Sequence, residues 1–380
     1  MLFQSIIGQQ SVKSKLITSS TENRVSHALL FFGQPGSGVL PLARAFAQFL
    51  NCENPQADDS CGVCGSCRRA SKMEHPDIHF VYPIVKGGGI KDPTSVDYIR
   101  EWRELFVSNP YASLNQWVDF ISTGDAKNKQ GIIPTEEAQK IIHKINLKAF
   151  EGKFKVIIIW MPEKMHPNAA NALLKSLEEP TKDTLFILAS EARDQLLSTI
   201  VSRTQLVKLQ LLQEEEVAER IMSDYEMGRP EALDIARLAD GNFSDAMEMA
   251  EHDKGSGSHE EAFINWMRLC FSPLKTMDKL LSWVDGMAAE NKEHQKQFLG
   301  ACLRVLRECL IVNLADGPLV KLEATQRIAI QKFLPFVNVN NIDAFSTELS
   351  EASYHLERNA STKILFLDLS LKISRILQIK

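Results

Sequence analysis

The sequence has no long hydrophobic run and no large excess of charge of one sign. No stretch reaches the roughly 20 apolar residues that a membrane-spanning helix needs. The first ten residues, MLFQSIIGQQ, lack the basic and apolar regions of a secretory signal peptide. The formal net charge is −5 with an isoelectric point near 6.0, so no global positive field draws the chain to nucleic acid. We therefore expect a cytoplasmic protein that shares any DNA contact with partners.

Cysteines are few, whereas apolar and charged residues occur in the proportions of an ordinary folded protein. Of the 380 residues, 44% are hydrophobic and 24% are charged, and a chain of this length can form two or three domains. The seven cysteines are not expected to form disulfides in a reducing compartment. Their spacing must therefore be explained by metal binding, packing or catalysis.

Residues 1–209 alternate short β-rich runs with helical ones, a pattern that predicts an α/β domain with a parallel sheet flanked by helices. Four of the runs are almost continuously apolar, as strands covered on both faces are. The stretch NAANALLKSLEEP predicts a helix over 168–180 that packs on the sheet and stops at Pro180. The apolar face of this helix carries Ala170, Leu173, Leu174 and Leu177. The predicted strands cover residues 28–32, 78–83, 155–160, 184–190 and 205–209.

Strand signals almost disappear after residue 209, and the rest of the chain is predicted to be helical. Residues 210–253 predict three short amphipathic helices, the size of a small helical lid. Residues 254–261, KGSGSHEE, predict a linker, and residues 262–380 an all-α domain that ends in a capped helix. Residues 86–135 are expected to be a peripheral insertion into the α/β domain. An apolar stripe in the last domain carries Phe298, Cys302, Leu306 and Leu310.

Four of the cysteines form a C-x8-C-x2-C-x2-C array. Two-residue spacers let neighbouring thiolates converge on one tetrahedral ion, and the glycines of CGVCGSC permit the tight turns required. Four sulfur ligands leave no open coordination position, so we expect a structural zinc site, with iron as an alternative metal. The spacing disfavours two other interpretations, unrelated surface cysteines and a redox site. The array consists of Cys52, Cys61, Cys64 and Cys67. The remaining cysteines, Cys270, Cys302 and Cys309, fall in apolar helical patterns and are expected in the core.

The stretch GQPGSGVLPLA resembles a phosphate-binding loop without its functional end. Gly33, Gly36 and Gly38 stand where a G-x-x-x-x-G-K-[ST] loop needs them, after an apolar run and before a helical one. The next two positions should carry Lys and Ser or Thr, but they are Val39 and Leu40. These side chains cannot bind the γ-phosphate or magnesium. The glycines are compatible with residual anion binding and with a plain strand-to-helix turn.

The acidic pair of an ATPase is missing as well. At the end of the run KVIIIW, Trp160 and Met161 occupy the positions at which Asp and Glu would bind the metal and activate water. Loss of the phosphate cation, the metal ligands and the base together removes most of the electrostatic stabilisation that phosphoryl transfer requires. We therefore expect that this chain does not hydrolyse a nucleotide cofactor in its own pocket. We also expect no ATPase activity from this chain alone.

Several motifs, in this order, resemble those of the bacterial sliding-clamp loaders, which are AAA+ proteins. They are FQSIIGQQ, VSHALLFFGQPGSG, the four-cysteine array, HPDIHFVYP, NAANALLKSLEEP and STIVSRTQ, and LERNASTKILFLDLSL is similar to the family's collar domain. The resemblance implies a RecA-like AAA+ α/β domain over residues 1–209 with the zinc module at 52–67. It also implies a helical lid over 210–253 and an all-α collar over 262–380 through which subunits oligomerise.

The resemblance also implies a role and a set of partners. In such loaders five subunits form an open ring, ATP binding opens the sliding clamp, and hydrolysis on primed DNA releases it. The implied role is that of a non-catalytic subunit within the DNA polymerase III holoenzyme. The implied partners are gamma/tau-type ATPase subunits, a delta-type subunit, the sliding clamp and, indirectly, primed DNA.

The resemblance further implies site residues. The family's Ser-Arg-Cys motif contributes an arginine to a neighbour's ATP site, and here Ser202, Arg203 and Thr204 retain the arginine but not the cysteine. Such an arginine increases the rate by about 10³ to 10⁵, although an arbitrary arginine is more often a solvated surface residue. Asp245 occupies the position of a nucleotide-sensing arginine in the lid, where an acid would repel phosphate. Ser190 matches a polar sensor position, but serine is also common in turns.

Two other functions remain open at this point. An ATP-binding motor subunit of the same loader would have to bind phosphate and metal without the usual side chains. A zinc-dependent nucleic-acid-binding module is disfavoured by the closed metal site and the acidic charge balance. Only two basic residues, Arg68 and Arg69, stand directly beside the cysteine array.

Overall fold

The computed structural model describes most of the chain. The described residues form two compact units, and the division between them falls between Glu248 and Met249. The described residues are 1–85, 92–122, 131–252, 259–273, 275–290, 292–314, 333–358 and 360–379. Parts of two predicted segments, the insertion at 86–135 and the linker at 254–261, lie outside them. These parts are residues 86–91, 123–130 and 254–258.

In the described part of the first unit, five strands form one parallel sheet in the order β2-β3-β4-β1-β5. The strands are β1 (Ala28–Phe32), β2 (Ile78–Val81), β3 (Lys155–Trp160), β4 (Thr184–Ser190) and β5 (Gln205–Lys208). The central strands β3 and β4 are buried along their whole length, as their unbroken apolar runs predict. The predicted α/β fold class with a flanked parallel sheet is therefore confirmed.

Strand β2 is shorter than predicted because the chain leaves the ladder after Val81. The backbone N–H of Tyr82 donates to the Ser95 hydroxyl at 3.2 Å instead of to a strand neighbour. Pro83 follows and has no N–H to donate. Strand β5 lies at the other edge of the sheet and is mostly exposed.

Helices cover the sheet and continue over residues 210–252, where the last helix, Phe243–His252, spans the division between the two units. Helix α2 is buried along its whole length, which fits its almost uniformly apolar sequence. Helix α7 packs Ala170, Leu173 and Leu177 into the core, with Leu174 partly buried, as its predicted apolar face requires. The helices are α1 (Gln10–Thr21), α2 (Val39–Leu50), α3 (Gly65–Ser71), α4 (Ile99–Ser108), α5 (Leu114–Ile121), α6 (Thr135–Asn146), α7 (Pro167–Glu178), α8 (Ser198–Val201), α9 (Glu214–Tyr225), α10 (Arg229–Ala239) and α11 (Phe243–His252).

The prediction that residues 86–135 are peripheral is wrong for the part that the structure describes. Helices α4 and α5 place Trp102, Phe106 and Trp117 fully in the main core of the first unit. Trp102 stacks on Tyr82 with ring centroids 3.8 Å apart and lies 5.4 Å from the ring of Trp160. The segment therefore completes the hydrophobic core, because its large aromatic side chains cover the end of β3.

The described part of the second unit is helical and has its own apolar core. Phe298, Cys302 and Leu306 are buried, and Leu310 is partly buried, as the predicted stripe requires. Cys270 and Cys309 are buried in the same core. The helices are α12 (His259–Phe271), α13 (Met277–Ala289), α14 (Lys292–Leu314), α15 (Ile342–Glu357) and α16 (Thr362–Ile376). Of the helices that the structure describes, none is long and apolar enough to cross a membrane.

Candidate functional site

The glycine loop forms a tight turn between β1 and α2. Gly36 and Gly38 have φ angles of +71° and +92°, which residues with a Cβ adopt only with strain. Val39 and Leu40 form the first turn of α2, and each is only 2% exposed. Their side chains pack into the core. The two side chains at the positions that contact phosphate and metal in a phosphate-binding loop are therefore part of the hydrophobic core.

Tyr111, from the connection between α4 and α5, occupies the space above Gly38. A Cβ placed on Gly38 would lie 3.1 Å from the Tyr111 ring. The Tyr111 hydroxyl accepts a hydrogen bond from the backbone N–H of Ile7 at 3.0 Å, and its ring meets Phe243 edge-on at 4.9 Å. Burial raises the pKa of Tyr111 to about 12, so the phenol stays neutral. A side chain of the protein thus fills volume over the loop.

The lid also approaches the loop closely at Gly36. A Cβ on Gly36 would lie 1.9 Å from Oδ1 of Asn242 and 2.6 Å from the backbone nitrogen of Phe243, so only glycine fits here. The backbone N–H of Phe243 donates to the Gly36 carbonyl at 3.4 Å. The side chain of Gln9 joins the same region, because its Nε2 donates to the carbonyls of Ser37 at 3.3 Å and Gln210 at 2.6 Å. The loop is thus enclosed by the N-terminal segment and the lid.

Acidic side chains lie near the end of β4. Glu191 directly follows the last residue of β4. Burial, followed by the nearby Glu163 and Asp245, raises the pKa of Glu191 to about 8. Glu163 in turn accepts hydrogen bonds from the backbone N–H groups of Glu191 at 2.9 Å and Ala192 at 3.2 Å. The acidic side chains make this end of the pocket unfavourable for a phosphate group.

The end of β3 carries no metal-binding carboxylate. Trp160 and Met161 are both almost fully buried, and Trp160 packs edge-on against Phe106 at 5.1 Å. Ser190, at the end of β4, accepts the Ala192 N–H at 3.3 Å through its hydroxyl, and its carbonyl accepts the Gly33 N–H at 3.3 Å. Ser190 therefore acts in this structure as a turn residue that anchors the glycine loop.

Arg203 lies in the turn between α8 and β5. Its Nε donates to Oε1 of Glu178 at 2.6 Å, and its Nη1 donates to the carbonyl of Thr199 at 3.0 Å. The side chain is 30% exposed, so the guanidinium is partly accessible. The hydroxyl of Thr204, the residue that replaces the expected cysteine, donates to the carbonyl of Ile200 at 3.2 Å.

The four cysteines of the array converge on one point. Their sulfur atoms all lie within 4.8 Å of one another. The backbone N–H groups of Cys61, Cys64 and Cys67 each donate to the sulfur of the preceding cysteine in the array, at 3.3 to 3.4 Å. The backbone N–H groups of Val63 and Cys64 lower the pKa of the Cys61 thiol to about 6. Four converging sulfurs with N–H donors fit a tetrahedral thiophilic metal ion.

Sequence reasoning missed the residues that fill the pocket. Tyr111 belongs to the segment that was expected to be peripheral. Glu191 follows a predicted strand, and nothing in the sequence distinguishes it from the acidic residues of the surface. Gln9 lies in the FQSIIGQQ motif, but a glutamine side chain does not by itself indicate a catalytic or metal-binding role. A signal was available for Tyr111 alone, because its segment is unusually rich in tryptophan and tyrosine for a peripheral insertion.

Comparison with known proteins identifies relatives over most of the chain. The family model described as "DNA polymerase III, delta subunit" matches residues 8–213. The chain is 30% identical to the DNA polymerase III subunit delta' of Bacillus subtilis over 312 residues, which cover 81% of this chain and 79% of that protein. It is 29% identical to the Escherichia coli delta' subunit over 239 residues, which cover 63% of this chain and 59% of that protein.

The chain is also similar to a longer protein. It is 25% identical to the DNA polymerase III subunit tau of Escherichia coli over 358 residues, which cover 92% of this chain and 47% of tau. The chain thus spans about half the length of that relative.

Proposed function

Because the chain belongs to the DNA polymerase III delta-subunit family of bacterial clamp-loader proteins, we propose that it is a delta'-type subunit that donates an arginine to a neighbouring ATPase subunit. The neighbours are gamma/tau-type ATPase subunits and a delta-type subunit in a five-membered ring. The ring loads a sliding clamp onto primed DNA in the cytoplasm. The chain itself takes part without hydrolysing ATP.

The observation that carries this proposal is the placement of Arg203. Its guanidinium is held at the surface beside the edge strand β5. Leu197 and Leu206, which precede and follow it in the chain, are 39% and 43% exposed. Arginine is enriched among the residues that contribute most to binding at protein interfaces. An arginine that enters a neighbour's site stabilises the charge that develops on the transferring phosphoryl group.

The side chains packed around the glycine loop support the proposal that this chain does not turn over ATP. Tyr111 fills volume above Gly38, and Asn242 and Phe243 lie against Gly36. No lysine follows the loop, and Trp160 and Met161 replace the acidic pair. Nucleotide binding would have to displace buried protein groups and would place phosphate beside carboxylates. Phosphoryl transfer therefore belongs to the neighbouring subunits in this proposal.

The cysteine array is proposed to hold a structural zinc ion. Cys52, Cys61, Cys64 and Cys67 supply a complete set of four sulfur ligands, which leaves no position for a substrate. Zinc would tie the loop after α2 to α3. This segment contains few apolar residues and therefore depends on the metal for its stability.

The test compares this chain with its Arg203→Ala variant in a reconstituted loader. The loader contains the gamma/tau-type and delta-type partners, and phosphate release from ATP is measured with clamp and primed DNA present. We expect Arg203→Ala to assemble normally on gel filtration and to lower kcat by about 10³ or more at the site it serves. Arg24→Ala, at an exposed arginine before β1, is the matched control and should leave kcat unchanged. An unchanged rate for Arg203→Ala would reject the arginine-donor role.

Two further measurements separate the alternatives. Magnesium-dependent binding of ATP to the isolated chain in equilibrium dialysis would favour a motor subunit. Strongly salt-dependent binding of DNA by the isolated chain would favour a zinc-dependent nucleic-acid-binding module. The proposed function predicts neither result.

A further inference from the structure

The guanidinium of Arg203 is oriented by contacts to all three of its nitrogens. Oε1 of Glu178 accepts the hydrogen bond from Nε at 2.6 Å and also contacts Nη2. Nη1 donates to the carbonyl of Thr199 at 3.0 Å and lies 3.5 Å from the hydroxyl oxygen of Ser202. Thr199 and Ser202 belong to the same turn as Arg203, so Glu178 is the partner that comes from another element.

Glu178 and Arg203 are attached to firmly packed elements. Glu178 is the last residue of α7, whose Leu173 and Leu177 are buried. Arg203 follows α8, whose Ile200 is buried in the same apolar cluster. Since both elements are anchored in one core, packing sets the distance between the carboxylate and the guanidinium.

The pair is open to a partner. The side chains of Arg203 and Glu178 are 30% and 48% exposed. The contacts account for four of the five N–H donors of the guanidinium, so one N–H on Nη2 is left for an acceptor from outside. An exposed ion pair of this kind contributes little to folding, and stability therefore gives little reason for the arrangement.

Orientation gives a better reason. A long arginine side chain that acts on another subunit loses rotamer freedom when it enters the site. A partner that already fixes the guanidinium removes most of that loss, and misplacement by about 1 Å can lower a rate by about 10². We propose that Glu178 is a positioning residue that holds Arg203 in the orientation in which it meets the neighbour's phosphate. This inference rests on the proposed function of Arg203.

The experiment uses the reconstituted loader with clamp and primed DNA. Five versions of this chain are compared, Glu178→Ala, Glu178→Gln, Glu179→Ala, Arg203→Ala and the double variant Glu178→Ala/Arg203→Ala. Glu179 is the matched control because it is an adjacent exposed glutamate outside the Arg203 contacts. Assembly is checked by gel filtration, and kcat and KM for ATP are measured separately.

We expect Glu178→Ala to lower kcat about tenfold with little change in KM. Glu178→Gln keeps an oxygen that accepts the Nε hydrogen bond, so it should restore most of the rate. Glu179→Ala should match the wild type. If Glu178 acts through Arg203, the double variant will be no slower than Arg203→Ala.

The outcomes separate this inference from the function on which it rests. An unaffected Arg203→Ala loader rejects the arginine-donor function itself. A slow Arg203→Ala loader together with a normal Glu178→Ala loader overturns only the positioning role. A further loss of rate in the double variant also overturns it, because Glu178 would then act independently of Arg203.

Discussion

At the scale of single residues, Glu191 distinguishes this pocket from a working phosphate site. Burial, followed by the nearby Glu163 and Asp245, raises the pKa of its carboxyl group to about 8. An ordinary glutamate in an unfolded chain titrates near 4.3. The folded protein therefore holds a proton on Glu191 over a pH range in which the unfolded chain has lost it.

This difference predicts how a substitution changes stability with pH. Between the unfolded pKa and the folded pKa of about 8, rising pH disfavours the folded state at this residue. Glu191→Gln keeps a hydrogen-bond acceptor but has no charge to lose. We expect the variant to be more stable than the wild type at pH 8.5, with a smaller advantage at pH 5.

Urea denaturation of both proteins at these two pH values measures the effect. The comparison uses the difference between the proteins because other groups titrate in this range with the opposite sign. Burial, for example, lowers the pKa of His79 to about 4. An advantage that is the same at both pH values would show that Glu191 is ionised in the folded state throughout.

At the scale of elements, apolar patterns predicted the sheet and the helices well. Unbroken apolar runs located β3 and β4, and the three helices predicted over residues 210–253 correspond to α9, α10 and α11. Strand β2 was predicted too long, because its end depends on a hydrogen bond from Tyr82 to a residue 13 positions away. Local sequence does not encode such a contact.

The sequence predicted only those residues of the candidate site that belong to a recognisable motif. The cysteine array was found from its spacing, and the four sulfurs do converge. The contact of Tyr111 with Ile7 joins residues 104 positions apart, and it depends on how α4 and α5 fold back over the loop. The sequence shows that the lysine and the acidic pair are absent, but it does not show which side chains pack over the glycine loop.

Tyr111 gives a prediction at this scale. Tyr111→Ala should lower the free energy of unfolding by about 3 kcal/mol, because it leaves a cavity between the loop and the lid. Tyr111→Phe should lower it by only about 1 kcal/mol, since it removes the hydroxyl alone. Urea denaturation measures both values. Equal losses would mean that the hydroxyl, not the ring, matters.

Opening the cavity should not create an ATP site. The lysine and the acidic pair are still absent in Tyr111→Ala, so equilibrium dialysis with ATP and magnesium should detect no binding. Saturable binding by this variant would show that Tyr111 alone keeps nucleotide out.

At the scale of the whole molecule, the chain is built from two units with separate apolar cores. The cysteine array belongs to the first unit. The hydroxyl of Ser66 donates to the carbonyl of Asn51 at 2.6 Å, and Arg69 forms an ion pair with Glu151 at 2.7 Å. Helix α3 is thus linked to two other segments of its own unit.

Removal of the metal should therefore have a local effect. After chelation, or in the Cys64→Ala variant, we expect faster amide hydrogen exchange over residues 52–71, because these residues have little apolar contact to keep them folded. Exchange in α12 to α16 should be unchanged. Hydrogen-exchange mass spectrometry measures both regions. Equal protection with and without metal would show that the array does not need an ion.

The packing of Tyr111 over Gly38 has a consequence for how the chain responds to the cell. A tethered side chain competes at a fixed effective concentration, which a dissolved ligand must exceed before it can replace the side chain. The occupancy of this loop is then independent of the cellular ratio of ATP to ADP. In the proposed ring, the other subunits would change with the energy supply, and this chain would present the same surface to them whether the cell is fed or starved.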